Sequence, residues 1–416
     1  MQKQYYSLEE VANILNLSYM TIYRWVHSGK LAAFQVGRKY RVSSSNLKEF
    51  IDSGEKIDLK SASKSLSKFI GSGMMDYAYI ESRKFNTDLS LGVNPLGCSS
   101  KVLDYYHKKD INFTNYSQVT SQALQKKISA VYGFSQDEIL IGAGASDLLQ
   151  LCFTTFINPD EEVIIPELTF PSFEFLAILT HAQPIFIPTS DDFDLNYSEI
   201  PKLIVGKSKL VVLCNPNNPT GQQLNIQKIE EQVVENPKLV FVIDEANIDF
   251  GGKSLISLVN KYKNIVVLRS FSKGFGLAGL RVGFALGNKD LIYAMRRRQT
   301  PFSVGVFAQK LAEVSLEDLD FLKKTKSYMQ TERKYLEHKL KVLGYKCEKS
   351  DSNYLLVDIS NNFTNSASFL RSINKNNANV VSGDDFRGLN GKYIRLSPRT
   401  HEVNERFVEI LGQLGK

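Results

Sequence analysis

Residues 269–281 read RSFSKGFGLAGLR, and this stretch decides between two kinds of α/β fold. It follows an apolar, strand-like run at residues 265–268 and contains a G-x-G-x-x-G pattern from Gly274 to Gly279, as a dinucleotide-binding turn does. Such a turn also needs an acidic residue about 20 positions further on, but residues 295–300 (MRRRQT) contain none. Lys273 stands directly before the first glycine. We therefore interpret the stretch as a turn that carries a reactive lysine.

Short apolar runs that resemble buried strands alternate with helical stretches in the body of the chain. They lie at residues 138–141, 162–165, 210–214, 239–243 and 265–268. This alternation predicts an α/β core with a mostly parallel, buried sheet. After residue 310, a polar helical stretch at 314–343 leads into an α+β segment, which we expect to form a smaller domain.

Chemically distinctive segments follow four of these runs, at the strand ends where parallel sheets bind ligands. Residues 142–147 (GAGASD) open a helix and expose backbone amides to an anion. Residues 215–221 (NPNNPTG) present side-chain amides, Asp244 supplies an acid, and Lys273 supplies an amine. A phosphate cradle, an amide donor, a buried acid and a lysine are what a pyridoxal phosphate (PLP) site requires.

At these motifs the sequence resembles the aminotransferase class I/II superfamily of fold-type I PLP enzymes, over about residues 85–414. Within this superfamily, histidinol-phosphate aminotransferase and threonine-phosphate decarboxylase stand out as relatives that it resembles. The resemblance implies the PLP-dependent transferase fold, similar to aspartate aminotransferase, with a mostly parallel central sheet and a small α+β C-terminal domain. It also implies PLP as the cofactor, an amino-acid substrate and a homodimer.

The resemblance assigns cofactor contacts to matching positions. Lys273 corresponds to the Schiff-base lysine, Asp244 to the partner of the pyridine nitrogen, and Asn218 to the donor to the ring hydroxyl. Phe170 corresponds to the aromatic residue that stacks on the ring. The phosphate contacts correspond to Ala145, Ser146, Ser270, Ser272 and Arg281.

Four more positions are assigned to the substrate or to a partner subunit. Arg395 corresponds to the arginine that binds the substrate carboxylate, for which a planar guanidinium is suited. Asn94 matches an asparagine near the entrance, and Arg399 adds a second cation beside Arg395. Tyr116 resembles the tyrosine that reaches across the dimer to the neighbouring phosphate.

One position departs from the family pattern. The aminotransferases read D-E-A-Y where this chain reads Asp244-Glu-Ala-Asn247. Asn247 can still donate a hydrogen bond to the ring hydroxyl, but it can neither ionise nor stack. Three functions therefore stay open: transamination, decarboxylation, and sensing of PLP or an amino acid with little turnover.

The N-terminal residues form a separate module. Ser7 and Glu10 make a capping box for a helix with Val11, Ile14 and Leu15 on its apolar face, and a second helix follows. An alternating segment around Gly37 then predicts a β-wing. This module resembles the excisionase- and MerR-related winged helix-turn-helix family over residues 5–51, which implies DNA binding. The candidate DNA contacts are Tyr19, Thr21, Tyr23, Arg24, Arg38, Lys39 and Arg41.

Charge and composition agree with this division. Residues 1–70 carry 11 lysines and arginines against 6 acidic residues, whereas the other 346 residues carry 40 against 38. Only the N-terminal module is thus markedly basic. We expect domains at 1–54 (helix-turn-helix), 86–310 (PLP-binding) and 311–416 (small domain), with a linker and arm at 55–85. The sequence has no metal-ligand pattern and no apolar run that could span a bilayer, and we expect a cytoplasmic protein.

Overall fold

The structure is a computed structural model that describes residues 4–15, 19–27, 31–37, 39–52, 85–108 and 111–414. Its chain divides into two compact units, at residues 1–67 and 68–416. The predicted linker at 55–85 lies outside the described residues except for Phe85. The predicted boundary at residue 310 stays a prediction.

The first unit is a winged helical module. Its elements are β1 (Tyr5–Ser7), α1 (Leu8–Leu15), α2 (Tyr19–His27), β2 (Phe34–Val36), β3 (Lys39–Ser43) and α3 (Ser44–Asp52). The strands form an antiparallel sheet in the order β1-β3-β2, and Gly37, at φ 62°, makes the turn of the wing. β1 is an addition to the predicted elements.

The predicted capping box at the start of α1 is present. The backbone N–H of Ser7 donates to Glu10 Oε2 at 2.9 Å, and the backbone N–H of Glu10 donates to Ser7 Oγ at 3.2 Å. Val11 is fully buried and packs with Ile22 and Val42, but Ile14 is 50% exposed. The apolar face of α1 therefore differs from the predicted one: Leu8, Val11 and Ala12 are buried and Leu15 packs against them, whereas Ile14 lies outside this core.

The second unit contains a seven-stranded sheet in the order β5-β11-β10-β9-β8-β6-β7. Its strands are β5 (Ile139–Gly142), β6 (Glu162–Pro166), β7 (Gln183–Ile187), β8 (Ser208–Cys214), β9 (Val240–Asp244), β10 (Ile265–Ser270) and β11 (Gly283–Gly287). Only β11 runs antiparallel to its neighbours; the other pairs are parallel. The predicted α/β fold with a mostly parallel sheet is confirmed.

Helices cover both faces of this sheet. They are α4 (Ser100–His107), α5 (Gln122–Tyr132), α6 (Ala145–Phe156), α7 (Ser172–Leu179), α8 (Ile200–Leu203), α9 (Ile226–Glu235), α10 (Ile256–Val259), α11 (Lys289–Arg298) and α12 (Val306–Ser315). Successive strand side chains enter opposite cores: Val211 and Leu213 pack in one, and Leu210 and Val212 in the other. Burial on both faces explains why these strands read as continuous apolar runs.

The C-terminal residues form a smaller α+β layer. Helix α13 (Leu319–Val342) precedes an antiparallel sheet in the order β12-β13-β16-β15. Its strands and remaining helices are β12 (Lys346–Cys347), β13 (Leu355–Asp358), α14 (Ser366–Asn374), β15 (Val381–Ser382), β16 (Tyr393–Leu396) and α15 (His401–Leu414).

A short parallel pair joins this layer to the start of the described body. β4 (Thr87–Asp88) pairs with β14 (Ala378–Asn379), and the backbone N–H of Ser397 donates to the carbonyl of Leu89 at 2.8 Å. These bonds hold residues 90–92 beside the end of β16, next to Arg395.

Candidate active site

One cavity lies at the carboxyl ends of the central strands, where the sequence predicts the site. Lys273 follows β10, Asp244 ends β9, and Asn218 follows β8, and all three line this cavity. The sequence-predicted residues that also line it are Ala145, Ser146, Phe170, Asn247, Ser270, Ser272, Arg281 and Arg395. The fold thus brings together residues that are as far apart in sequence as 145 and 395.

An anion cradle forms at one end of the cavity, where helix α6 begins. Gly144, at φ 90°, precedes Ala145 and Ser146, and a Cβ at Gly144 would lie 2.6 Å from Arg281 Nη2. The missing side chain therefore lets the guanidinium approach the helix N-terminus. Arg281 Nη1 donates to Ser272 Oγ at 3.1 Å. Backbone amides, hydroxyls and a guanidinium in one place suit a phosphate dianion.

Asp244 is a buried acid in the middle of the cavity. Burial raises its pKa from 3.8 to about 6, although the backbone N–H of Ala246, which donates to Oδ1 at 3.0 Å, opposes the shift. Nearby Glu245 raises the pKa further, and Lys273 lowers it. A carboxylate kept from water in this way is stabilised by a cation beside it, such as a protonated pyridine ring.

Arg395 enters the cavity from β16 and is 3% exposed. Its Nη1 donates to Asn218 Oδ1 at 2.9 Å, and its Nη2 donates to the carbonyl of Ser90 at 2.7 Å. The guanidinium also lies over the rings of Tyr354 and Phe386, 4.5 and 5.5 Å from their centroids. These contacts fix its plane inside the cavity.

Comparisons with known proteins agree with this arrangement. Residues 87–411 match the family model for aminotransferase class I and II. The chain belongs to this family. It is 32% identical over 324 residues to histidinol-phosphate aminotransferase from Methanosphaera stadtmanae, and the aligned residues cover 77% of this chain and 88% of that protein. It is 33% identical over 316 residues to the Methanosarcina mazei enzyme of the same name, with 76% and 84% covered.

Solved structures show the same fold. The histidinol-phosphate aminotransferase from Clostridium acetobutylicum aligns with a TM-score of 0.72 and 24% identity over 79% of this chain and 98% of that one. The Sinorhizobium meliloti enzyme in complex with PLP aligns with a TM-score of 0.73 and 19% identity over 82% and 94%. This protein is a PLP-dependent aminotransferase, and the donors in its cavity fit PLP: a dianion cradle, a buried acid and a lysine.

Three predicted site residues of the aminotransferase do not line the cavity. Asn94 is buried and its Nδ2 donates to the carbonyl of Gly274 at 2.7 Å and to Thr325 Oγ1 at 3.0 Å, so it holds the turn after Lys273. Arg399 is half-buried; burial lowers its pKa, and Asp88 opposes the shift. Tyr116 is 85% exposed and stacks on Phe302, with 4.7 Å between ring centroids.

Other residues of the cavity were not foreseen from the sequence. Ser90, Leu91, Gly92 and Tyr354 line it, and Tyr354 is almost fully buried. No local signal marks Tyr354, since its sequence context (SNYLLV) reads as the start of a buried strand. Two of its neighbours in the cavity, Gly92 and Asn247, are more than a hundred positions away in the sequence.

A buried ion network supports the turn that carries Lys273, and the sequence did not reveal it either. Arg269 Nη2 donates to Asp249 Oδ1 at 2.6 Å, and its Nη1 lies 3.6 Å from Glu245 Oε2. Asp249 in turn packs against Gly274, where a Cβ would overlap the aspartate side chain. Burial raises the pKa of both carboxyl groups, and the charge of Arg269 opposes that shift.

The N-terminal module matches the family model of a helix-turn-helix domain over residues 5–55. On α2, Tyr19 and Arg24 are exposed, and Thr21 and Tyr23 are half-buried. On β3, Lys39 is exposed and Arg41 is half-buried. Arg38, also predicted to contact DNA, lies outside the described residues. None of the helices in the described part of the chain is long and apolar enough to cross a membrane.

Proposed function

We propose that this aminotransferase acts on a small primary amine that carries an anionic group, either an amino acid or a phosphorylated amino compound. The observation that supports this is the buried guanidinium of Arg395 in the same cavity as Lys273. A planar guanidinium pairs well with carboxylate or phosphate. Because its relatives include histidinol-phosphate aminotransferases, histidinol phosphate is the first substrate to test.

The residues of the cavity divide the work of the reaction. Bound PLP supplies a ring that accepts electrons from the substrate carbon. Lys273 would hold PLP through Nζ, and after the substrate amine replaces it there, the freed Nζ would take and return the substrate proton. Asp244 keeps the ring nitrogen protonated, and Asn218 and Asn247 donate to the ring oxygen. The residues that would hold the phosphate are Ala145, Ser146, Ser270, Ser272 and Arg281, and Phe170 would pack against the ring.

The decisive experiment loads the purified protein with PLP and supplies 2-oxoglutarate and a panel of amines. The panel contains histidinol phosphate, histidinol without phosphate, and the common amino acids. Glutamate formed from an anionic amine supports the proposal, and Arg395→Ala should then raise KM for that amine at least tenfold. Carbon dioxide release without glutamate would favour the decarboxylase, and bound PLP without turnover would favour the sensor.

The cofactor site has its own test. Borohydride reduction of the loaded protein should fix PLP on Lys273, as mass mapping would show, and Lys273→Ala should abolish both labelling and turnover. Labelling of another lysine would refute the assignment of the site.

We also propose that the aminotransferase unit forms a homodimer with Tyr116 in the interface. Tyr116 and Phe113 are 85% and 71% exposed and stack on Phe302 and Phe307, so a large aromatic surface faces outward. Exposed clusters of several aromatic side chains mark protein interfaces. In such a dimer Tyr116 contributes to the neighbouring phosphate site, and Tyr116→Ala should weaken PLP retention. Sedimentation of the unaltered protein as a monomer would refute the proposal.

For the N-terminal module we propose DNA binding through α2 and the wing. An aromatic row of Tyr19, Tyr23, His27 and Tyr40 runs along this surface, with neighbouring centroids 4.5 to 6.4 Å apart. Arg24, Lys39 and Arg41 add positive charge beside it. Aromatic and basic groups on the second helix and wing suit contacts with bases and phosphates.

A further inference from the structure

The side chain of Tyr354 lies near Asn247, the position at which the family pattern has a tyrosine. It lies directly before β13, in the C-terminal layer, and only 4% of it is exposed. Its hydroxyl is 3.5 Å from Asn247 Oδ1, a long hydrogen bond in which the phenol donates. Asn247 follows β9, so this bond joins the C-terminal layer to the strand end that carries Asp244.

The position of the Tyr354 ring is closely defined. One face lies against the guanidinium of Arg395, 4.5 Å from the ring centroid. On another side is Gly92, where a Cβ would lie 2.7 Å from Tyr354 Cε1 and 2.9 Å from its hydroxyl. Asn353 Nδ2 donates to the carbonyl of Gly92 at 2.9 Å and holds that segment in place. Only a glycine at position 92 leaves room for this phenol.

Two amides of the cavity are oriented in the same way. The oxygen of Asn218 accepts from Arg395, and the oxygen of Asn247 accepts from Tyr354. An amide whose oxygen is engaged presents its NH₂ group elsewhere. Both asparagines line the cavity, so their Nδ2 donors remain for a ligand there.

We propose that Tyr354 is a positioning residue: its hydroxyl sets the Asn247 amide so that Nδ2 donates to the ring oxygen of PLP. This inference rests on the proposed roles of Lys273 and Asn218. Asn247 then replaces the family's tyrosine as a hydrogen-bond donor, because the phenol of Tyr354 in the C-terminal layer orients its amide. Arg395, which also belongs to the C-terminal layer, orients the Asn218 amide in the same way. Both donors therefore depend on how the C-terminal layer packs at the cavity.

The test is a pH titration of the visible absorbance of PLP-loaded protein, which follows the protonation of lysine-bound PLP. A donor to the ring oxygen stabilises its anion and lowers the midpoint of this titration. Tyr354→Phe should therefore raise the midpoint by about one pH unit. Asn247→Ala should raise the midpoint by a similar amount. The double variant should have the same midpoint as Asn247→Ala, because both substitutions remove the same hydrogen bond to the ring oxygen.

Tyr345→Phe is the matched control. Tyr345 is an equally buried tyrosine of the same layer that does not line the cavity, so its substitution can change the melting temperature but not the midpoint. An unchanged midpoint in Tyr354→Phe, or additive shifts in the double variant, would overturn the proposal. If Tyr354→Phe does not fold, an unchanged midpoint in Asn247→Ala overturns it instead. Failure of the unaltered protein to bind PLP on Lys273 would refute the site itself, and this inference with it.

Discussion

Two of the three glycines in residues 269–281 make close packing contacts in the turn that contains Lys273. Gly276 has φ 71°, and a Cβ there would overlap the carbonyl oxygen of Gly97. Gly274 packs against Asp249, whereas a Cβ at Gly279 would meet nothing within 4 Å. Two of the three glycines in the G-x-G-x-x-G pattern are therefore accounted for by packing within the chain, and the third position tolerates a side chain.

This difference predicts opposite results for two matched substitutions. Gly276→Ala should lower the free energy of unfolding by about 2 kcal/mol or more, because it combines a strained positive φ with backbone overlap. Gly279→Ala should change it by less than about 0.5 kcal/mol. Urea unfolding of the two variants measures both values. Equal stabilities would show that Gly97 does not lie against Gly276.

The raised pKa of Asp244 predicts how PLP binding depends on pH. Its pKa in the folded chain is about 6 against an ordinary 3.8, so the folded state binds this proton more tightly than the unfolded state. The PLP-free protein consequently loses stability as the pH rises from 3.8 to about 6. Below about pH 6 the carboxyl must release its proton to pair with a protonated pyridine ring. PLP affinity should therefore fall by up to about tenfold per pH unit there.

The phosphate of PLP also titrates near pH 6. Comparison with Asp244→Asn therefore separates the effect of this carboxyl group on PLP affinity from the effect of the phosphate. Equilibrium dialysis of PLP against both proteins should give a steeper pH dependence for the unaltered protein, by about one logarithmic unit of affinity per pH unit below pH 6. Parallel curves would mean that Asp244 does not hold the ring nitrogen.

The turn after β10 depends on the ion network formed by Arg269, Glu245 and Asp249. Arg269 is 7% exposed, and its two carboxylate partners are buried. Arg269→Met should lower the free energy of unfolding by about 3–5 kcal/mol, because it leaves Glu245 and Asp249 without their cation. Lys261→Met, which breaks an exposed pair with Glu230, serves as the control and should leave the unfolding midpoint unchanged. Similar midpoints for both variants would contradict this account.

The strands were predictable from sequence because burial on both faces leaves a continuous apolar run. The five predicted runs became β5, β6, β8, β9 and β10, within two residues at each end. β7 and β11 were not predicted: β7 is half-exposed along most of its length, and β11 (GFALG) has a glycine at each end. The antiparallel direction of β11 also has no sequence signal, because it depends on the turn that contains Lys273.

The candidate site was predictable where chemistry is concentrated in one short segment. Lys273, Asp244, Asn218 and the cradle at Gly144 each stand in a short, recognisable motif at or just after the end of a strand. Asn94 and Tyr354 differ, because their contacts reach 180 and 107 positions along the chain. Such contacts are set by how distant segments pack together: Asn94 contacts the turn after β10, and Tyr354 joins the C-terminal layer to the end of β9. A single sequence indicates that a layer exists but not which side chains it presents.

The chain joins an aminotransferase to a basic helix-turn-helix module. The two units have separate apolar cores, and the surplus of positive charge lies in the first. DNA binding by that unit would release counterions from each phosphate that it neutralises, so retention on DNA must weaken as salt rises. Because the cavity is built entirely from residues 90–395, changes on α2 and the wing should leave PLP loading intact.

The full-length protein should therefore bind mixed-sequence duplex DNA with a salt dependence that single substitutions reduce. Arg24→Ala and Arg41→Ala should each lower the slope of log affinity against log salt by about one, as expected for the loss of one phosphate contact. Lys202→Ala removes an equal charge from an exposed position of the aminotransferase and should leave the slope unchanged. Equal slopes for all three variants would mean that α2 and the wing do not face DNA, and that this unit serves the enzyme through protein contacts instead.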